Sequence, residues 1–140
     1  MKKRKRRGLI LVKYGGNAMK DDELTSRILQ NLSVLLGKGY KVVLVHGGGP
    51  FIQETLELAG IDLEFASGHR KTSSQAMKYI EMALNGHVNG KLVKLANEQG
   101  LKAVGLSGKS SNMVVATKRY HKDEAGDEVD IGYVGDVSTI

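Results

Sequence analysis

Two short apolar runs, each ended by a cluster of glycines, constrain this sequence more than any other feature. Gly8-Leu-Ile-Leu-Val-Lys13 leads into Tyr14-Gly15-Gly16, and Lys41-Val-Val-Leu-Val-His46 leads into Gly47-Gly48-Gly49-Pro50. Runs that are apolar without alternating suit strands buried in a parallel sheet. Between them, Asp21, Asp22 and Glu23 place negative charge where a helix dipole favours it. Leu24, Ile28, Leu32 and Leu35 then recur at helical spacing until Gly37 and Gly39. Pro50 stands at the one helical position where a missing N–H costs nothing. The order is β–α–β–α, with connections too short for a meander. The expected class is α/β, an open, mainly parallel sheet sandwiched by helices.

The rest of the chain continues in the same style. Gly60 ends the second helix, and Ile61 to Arg70, with Gly68 inside, reads as a hairpin or edge excursion. Thr72 and Gln75 have the spacing of a capping box. Met77, Ile80, Ala83 and Leu84 line one helix face up to Asn85-Gly86, and a further helix is expected from about Val88 to Gln99. Lys102 to Leu106 reads as a third inner strand and Met113 to Lys118 as a fourth. A polar turn at Asp123 to Gly126 precedes a last extended stretch, Val129 to Val137. The sequence closes on Asp136-Val-Ser-Thr-Ile140 without a polar fade, so a truncated architecture is expected.

A length of 140 residues suits one domain or one lobe of a larger one. Lys2 to Arg7 supply six positive charges, and the remaining basic and acidic residues balance at 15 each. Residues 1–7 are therefore a basic tail on a neutral body, residues 8–140. No aromatic side chain interleaves the tail, so it reads as a solvated extension, with nucleic acid not expected as a partner. The absence of cysteine excludes disulfides, thiolate zinc sites and a cysteine nucleophile. No apolar run approaches the ~20 residues of a membrane span, so a cytoplasmic protein with no membrane partner is expected.

The chemistry concentrates at strand exits, where ligands of open α/β sheets collect. Gly15-Gly16, Gly47-Gly48-Gly49 and Ser107-Gly108-Lys109-Ser110 each follow an expected inner strand. Glycines there let backbone N–H groups approach an anion. Neither G-x-x-x-x-G-K-[ST] nor G-x-G-x-x-G follows the first strand, which disfavours Walker and Rossmann sites. Lys13 closes the first strand just before its glycine pair, within reach of a phosphate held by those amides. Arg70, in Gly68-His-Arg-Lys-Thr72, offers a planar fork to a carboxylate. His46 reads as a packed or hydrogen-bonding loop residue rather than a base, and no metal site is expected.

Lys13-Tyr-Gly-Gly-Asn-Ala-Met19, Val45-His-Gly-Gly-Gly-Pro50, Gly68-His-Arg-Lys-Thr72, Glu81-Met-Ala-Leu-Asn-Gly86 and Ala103-Val-Gly-Leu-Ser-Gly-Lys109 occur in order from Leu9 to Val137. Together they resemble the acetylglutamate kinases of the amino acid kinase family. The resemblance implies ATP-dependent phosphorylation of the side-chain carboxylate of N-acetyl-L-glutamate to an acyl phosphate, a step of arginine biosynthesis. It implies that Lys13 stabilises the phosphoryl group in the transition state and that Gly15 and Gly16 bind phosphate. By the same likeness Gly48, Gly49 and Arg70 hold the amino acid. ATP and Mg2+ are implied, the metal carried by the nucleotide without a protein ligand here, as is a homodimer using the helix from about Thr72 to Asn85. Members of the family are much longer, so residues 8–140 correspond to an N-terminal amino-acid-binding lobe, expected to be inactive alone. Related kinases act on carrier-bound aminoadipate or other amino acids, and a non-catalytic amino-acid-binding half-domain is the alternative without chemistry. Arginine-inhibited relatives carry a long N-terminal helix, so arginine feedback is not expected.

Overall fold

The computed structural model describes residues 8–62, 64–66, 69–123 and 125–140, so the basic tail and Gly68 lie outside the described residues. Strand β1, Leu9–Tyr14, pairs in parallel with β2, Lys41–His46, in the register Leu9↔Lys41 to Tyr14↔His46. Helix α1, Asp22–Gly37, makes the crossover between them. Asp21 caps it by accepting from the Leu24 N–H at 2.9 Å, and the acidic Asp22 and Glu23 occupy its first turn. Gly39, at φ 90°, turns the chain out of α1, donating to the Leu36 carbonyl at 2.9 Å. Helix α2, Gly49–Leu58, starts with Pro50 in its first turn as expected.

Strands β3, Glu64–Ala66, and β4, His69–Lys71, form the expected antiparallel excursion. The expected capping box moves by one residue. Ser73, not Thr72, caps helix α3, Ser74–Glu81, accepting from the Ala76 N–H at 3.1 Å. Thr72 is occupied elsewhere: its N–H donates to Ile131 and its carbonyl accepts from Tyr133, at 2.9 and 2.8 Å. Two separate helices were expected around Asn85-Gly86. Instead the rod is unbroken, because a π-helical segment, Met82–Asn89, joins α3 directly to α4, Gly90–Glu98. A wider helical turn accommodates Asn85-Gly86 without a break.

The third inner strand is not formed. Lys102 sits at φ 52°, and the Asn97 side-chain amide takes both backbone groups of Ala103, accepting from its N–H at 2.7 Å and donating to its carbonyl at 3.2 Å. A side chain thus occupies the edge that a neighbouring strand would pair with. The fourth inner strand is instead an exposed hairpin, β5, Val115–Lys122, antiparallel to β6, Glu128–Thr139. The Asp123 carboxylate shapes its turn, accepting from the Ala125 and Asp127 amides. The hairpin docks through Ile131, fully buried, and through Gly132, at φ 80°, where a Cβ would overlap the Thr72 carbonyl.

Three apolar clusters hold the layers. Tyr14, Met19, Val88 and Leu92 pack around Leu44 and Phe51; Leu29, Leu32 and Ala96 pack on Val12 and Val42. Leu56, Ala76 and Ile80 join α2 to α3. Helices α1 and α4 therefore cover the Val12–Val42–Leu44 face of the parallel pair. The opposite face, carrying Leu9, Leu11, Val43 and Val45, is open, with Leu11 67% exposed. Among the described residues no helix is long and apolar enough to cross a membrane.

Candidate functional site

The exits of β1 and β2 lie side by side because the strands are parallel and in register, Lys13 opposite Val45 and Tyr14 opposite His46. The two glycine loops that follow are in backbone contact. A Cβ on Gly16 would stand 3.0 Å from the Gly49 nitrogen and 3.2 Å from that of Gly48. Glycine at position 16 is thus a matter of space rather than of backbone angle. Gly47 closes the junction, donating to the Tyr14 carbonyl at 3.1 Å. Gly48 is buried, its carbonyl accepting from the Ile52 N–H at 2.9 Å, while its α-carbon faces Leu84 and Val88.

The amides of Gly15, Gly16, Gly48 and Gly49 donate to no group among the described residues. Gly49 begins α2, whose first N–H groups have no intrahelical partner. Four free donors and a helix N-terminus at one rim form an anion-binding arrangement. Lys13 is exposed, without an ion pair among the described residues, on the open face beside Leu11 and Val45. An open cleft of about 780 Å³ is lined in part by Asn17, Lys20, Gly49, Gln53 and Lys91, without Lys13.

The structure brings Lys13, Gly15, Gly16, Gly48 and Gly49 to one rim. Arg70 is placed by its backbone in β4, opposite Phe65, and its side chain lies outside the described residues. The third glycine loop differs in its side chains, although the Gly108 amide too donates to no group among the described residues. Ser107 donates to the Ser110 hydroxyl at 3.1 Å, and the Lys109 ammonium is 2.6 Å from the Glu81 carboxylate. His46 is hydrogen-bonded on both nitrogens: Nδ1 lies 2.9 Å from the Gly47 carbonyl and Nε2 3.0 Å from the Asn89 amide nitrogen. Asn89 and the Leu84–Val88 floor under Gly48 carry no local sequence signal, since each reaches the site across some 40 residues of chain. No group of three or more His, Cys, Asp or Glu side chains able to hold a metal ion occurs among the described residues.

Parallel strands ending in adjoining glycine loops, with amides and a lysine at the rim that are unpartnered among the described residues, define an α/β protein whose strand ends suit anionic groups. Residues 8–140 match the amino acid kinase family, and the chain belongs to that family. It is 43% identical over 131 residues to the acetylglutamate kinase of Chromobacterium violaceum, covering 94% of this chain and 45% of that enzyme. The acetylglutamate kinase of Geobacter sulfurreducens is likewise 43% identical, over 91% of this chain and 45% of its own. The chain thus spans a little under half the length of these relatives. Among solved structures, smu.665 of Streptococcus mutans superposes with a TM-score of 0.69 at 29% identity, over 93% of this chain and 49% of that one. The N-acetylglutamate synthase of Neisseria gonorrhoeae, at 16% identity and a TM-score of 0.63, shares the fold.

Proposed function

We propose that residues 8–140 form the amino-acid-binding lobe of a cytoplasmic, ATP-dependent kinase that converts the side-chain carboxylate of N-acetyl-L-glutamate to an acyl phosphate, in arginine biosynthesis. The observation that carries this reading is the meeting of four unpartnered glycine amides with an unpaired lysine at the exits of β1 and β2. The substrate is suggested by the relatives named acetylglutamate kinase. A second lobe, of the kind those longer relatives contain, would bring the nucleotide.

The chemistry suits that donor set. A carboxylate with a pKa near ~4.3 is already ionised at pH 7, so the nucleophile needs no general base. Two anions must approach instead, and catalysis comes from positioning and from positive charge around the phosphoryl oxygens. In this reading Lys13 stabilises the transferring phosphoryl group and the Gly15 and Gly16 amides bind phosphate. Gly48 and Gly49 bind the amino acid, and Arg70 pairs with one of its carboxylates. With no carboxylate cluster among the described residues, Mg2+ would arrive on the nucleotide, where it offsets phosphate charge. Pairing as a homodimer through the α3 rod completes the proposal.

The test joins residues 8–140 to the remaining half of the Chromobacterium violaceum enzyme and follows acetylglutamate-dependent ADP release. The joined protein turns over and the 140-residue chain alone does not. Lys13→Ala in the joined protein lowers kcat by about 100-fold or more, the loss typical of one electrostatic stabiliser. An unchanged kcat overturns the reading.

A further inference from the structure

We propose that Asn89 is a positioning residue for the substrate-side glycine loop, holding His46 in a single tautomer and thereby fixing Gly47 to Gly49. This rests on the kinase reading above for what the loop binds, but not for the lock itself. His46 is the last residue of β2, directly before three consecutive glycines. Such a loop has no side chains to fix it and more backbone freedom than any other residue type would leave. Its restraints must come from the flanks. One is the Gly47 N–H donated to the Tyr14 carbonyl at 3.1 Å. The other is His46.

The hydrogen-bond partners determine the tautomer. The Gly47 carbonyl, 2.9 Å from Nδ1, can only accept, so Nδ1 carries the proton. In the neutral ring Nε2 is then an acceptor, and the Asn89 amide nitrogen donates to it at 3.0 Å. The same amide is held from its other end. A Cβ on Gly105 would overlap the Asn89 Oδ1, although Gly105 is not at positive φ and any residue could adopt its backbone angles. Glycine at 105 therefore makes room for the Asn89 amide.

The helix rod is built to deliver that side chain. Asn89 is the last residue of the π-helical segment Met82–Asn89. A regular α-helix turns ~100° per residue, so a stretch with wider turns changes which side chains face the sheet. The unusual geometry of the segment ends at the residue that reaches across to the loop. In this arrangement Asn89 touches no substrate; it acts through His46.

The test reads the imidazole directly in the 140-residue chain, by long-range proton–nitrogen correlation of His46 and the amide resonances of Gly47, Gly48 and Gly49. Wild type shows the Nδ1–H form. Asn89→Leu keeps the size but removes the donor, so Nε2 loses its hydrogen bond, its nitrogen resonance moves, and the three glycine amides shift. Gly105→Ala, whose methyl would meet Asn89 and Val93 first, reproduces the change by displacing Asn89. Titration with N-acetyl-L-glutamate is weaker by about tenfold in both variants, the loss of roughly one hydrogen bond of preorganisation. If wild type fails to take up N-acetyl-L-glutamate, the kinase reading of the loop fails while the tautomer still tests the lock. A wild-type Nε2–H form, or an unchanged Nε2 resonance and unchanged glycine amides in both variants, overturns the proposal.

Discussion

The hydroxyls of Tyr14 and Thr25 lie 2.8 Å apart in the core, tying the last residue of β1 to the first turn of α1. Both are buried, Tyr14 at 4% and Thr25 at 1% exposure, so neither hydroxyl has water to fall back on. Thr25 also donates to the Asp21 carbonyl at 2.8 Å and Tyr14 to the Ala18 carbonyl at 3.1 Å, so the two hydroxyls join a short chain of hydrogen bonds. The pair clamps both ends of the segment containing Gly15 and Gly16. Tyr14→Phe removes the hydroxyl that joins Thr25 to the Ala18 carbonyl and is expected to cost about 1–2 kcal/mol in denaturant unfolding. Tyr14→Phe with Thr25→Val should cost less than the two single changes added together. Strict additivity would show that the hydroxyls do not act as a pair.

Gly48 is set against the helix rod. A Cβ there would stand 2.6 Å from Leu84 Cδ2 and 3.4 Å from Val88 Cγ2. Gly48→Ala is therefore an overpacking change, expected to lose about 1–3 kcal/mol of stability. Because the closer atom is the end of a side chain, Leu84→Ala made together with Gly48→Ala restores part of that loss. Thermal melts of the wild type, both single variants and the double variant decide it. A double variant less stable than the sum of the singles would place the conflict elsewhere.

What local pattern encodes, the sequence makes legible: β1, β2, the acidic start of α1 and Pro50 in α2 all follow from neighbours within a few residues. The glycine loops at the strand exits were legible for the same reason. Long-range competition was not. Lys102 to Leu106 has the composition of an inner strand, but Asn97 occupies the Ala103 backbone. Lys109 looks like a free cation until Glu81, 28 residues earlier, is found 2.6 Å away. Thr72 resembles a helix cap in isolation, and only the arrival of β6 draws its backbone into a bridge with Gly132 and leaves the cap to Ser73. Asn85-Gly86 breaks a helix by propensity, yet packing on both sides carries the rod through.

The open face of the parallel pair has a measurable consequence. Leu9, Leu11, Val43 and Val45 are 64%, 67%, 43% and 48% exposed on adjoining strands. Contiguous exposed apolar surface on a sheet is an association hazard. The 140-residue chain by itself is expected to bind a hydrophobic dye and to self-associate with rising concentration. Leu11→Thr with Val43→Thr keeps residues suited to strands and should make light scattering concentration-independent. Unchanged association in that variant would locate the sticky surface away from this face.

The hairpin β5–β6 carries its own pH dependence through Lys118 and Asp130, 2.6 Å apart across the strands. The Lys118 ammonium, followed by the Gly132 N–H, holds the Asp130 carboxyl below the usual carboxylate range. The same hydrogen bond from Asp130 raises Lys118 above its ordinary value. A depressed carboxyl contributes stability that is complete above ~3.9 and lost as pH falls through its lower folded value. A raised lysine contributes below ~10.4 and loses it as pH rises through its higher folded value. The contribution is therefore flat across neutral pH and disappears at both extremes. Both groups are exposed, so it is small and weakens with salt. The stability difference between wild type and Asp130→Asn should be constant from about pH 5 to pH 9 and shrink as pH falls below ~3.9. A difference that does not shrink in acid would mean that Asp130 acts through the Gly132 turn rather than through its charge.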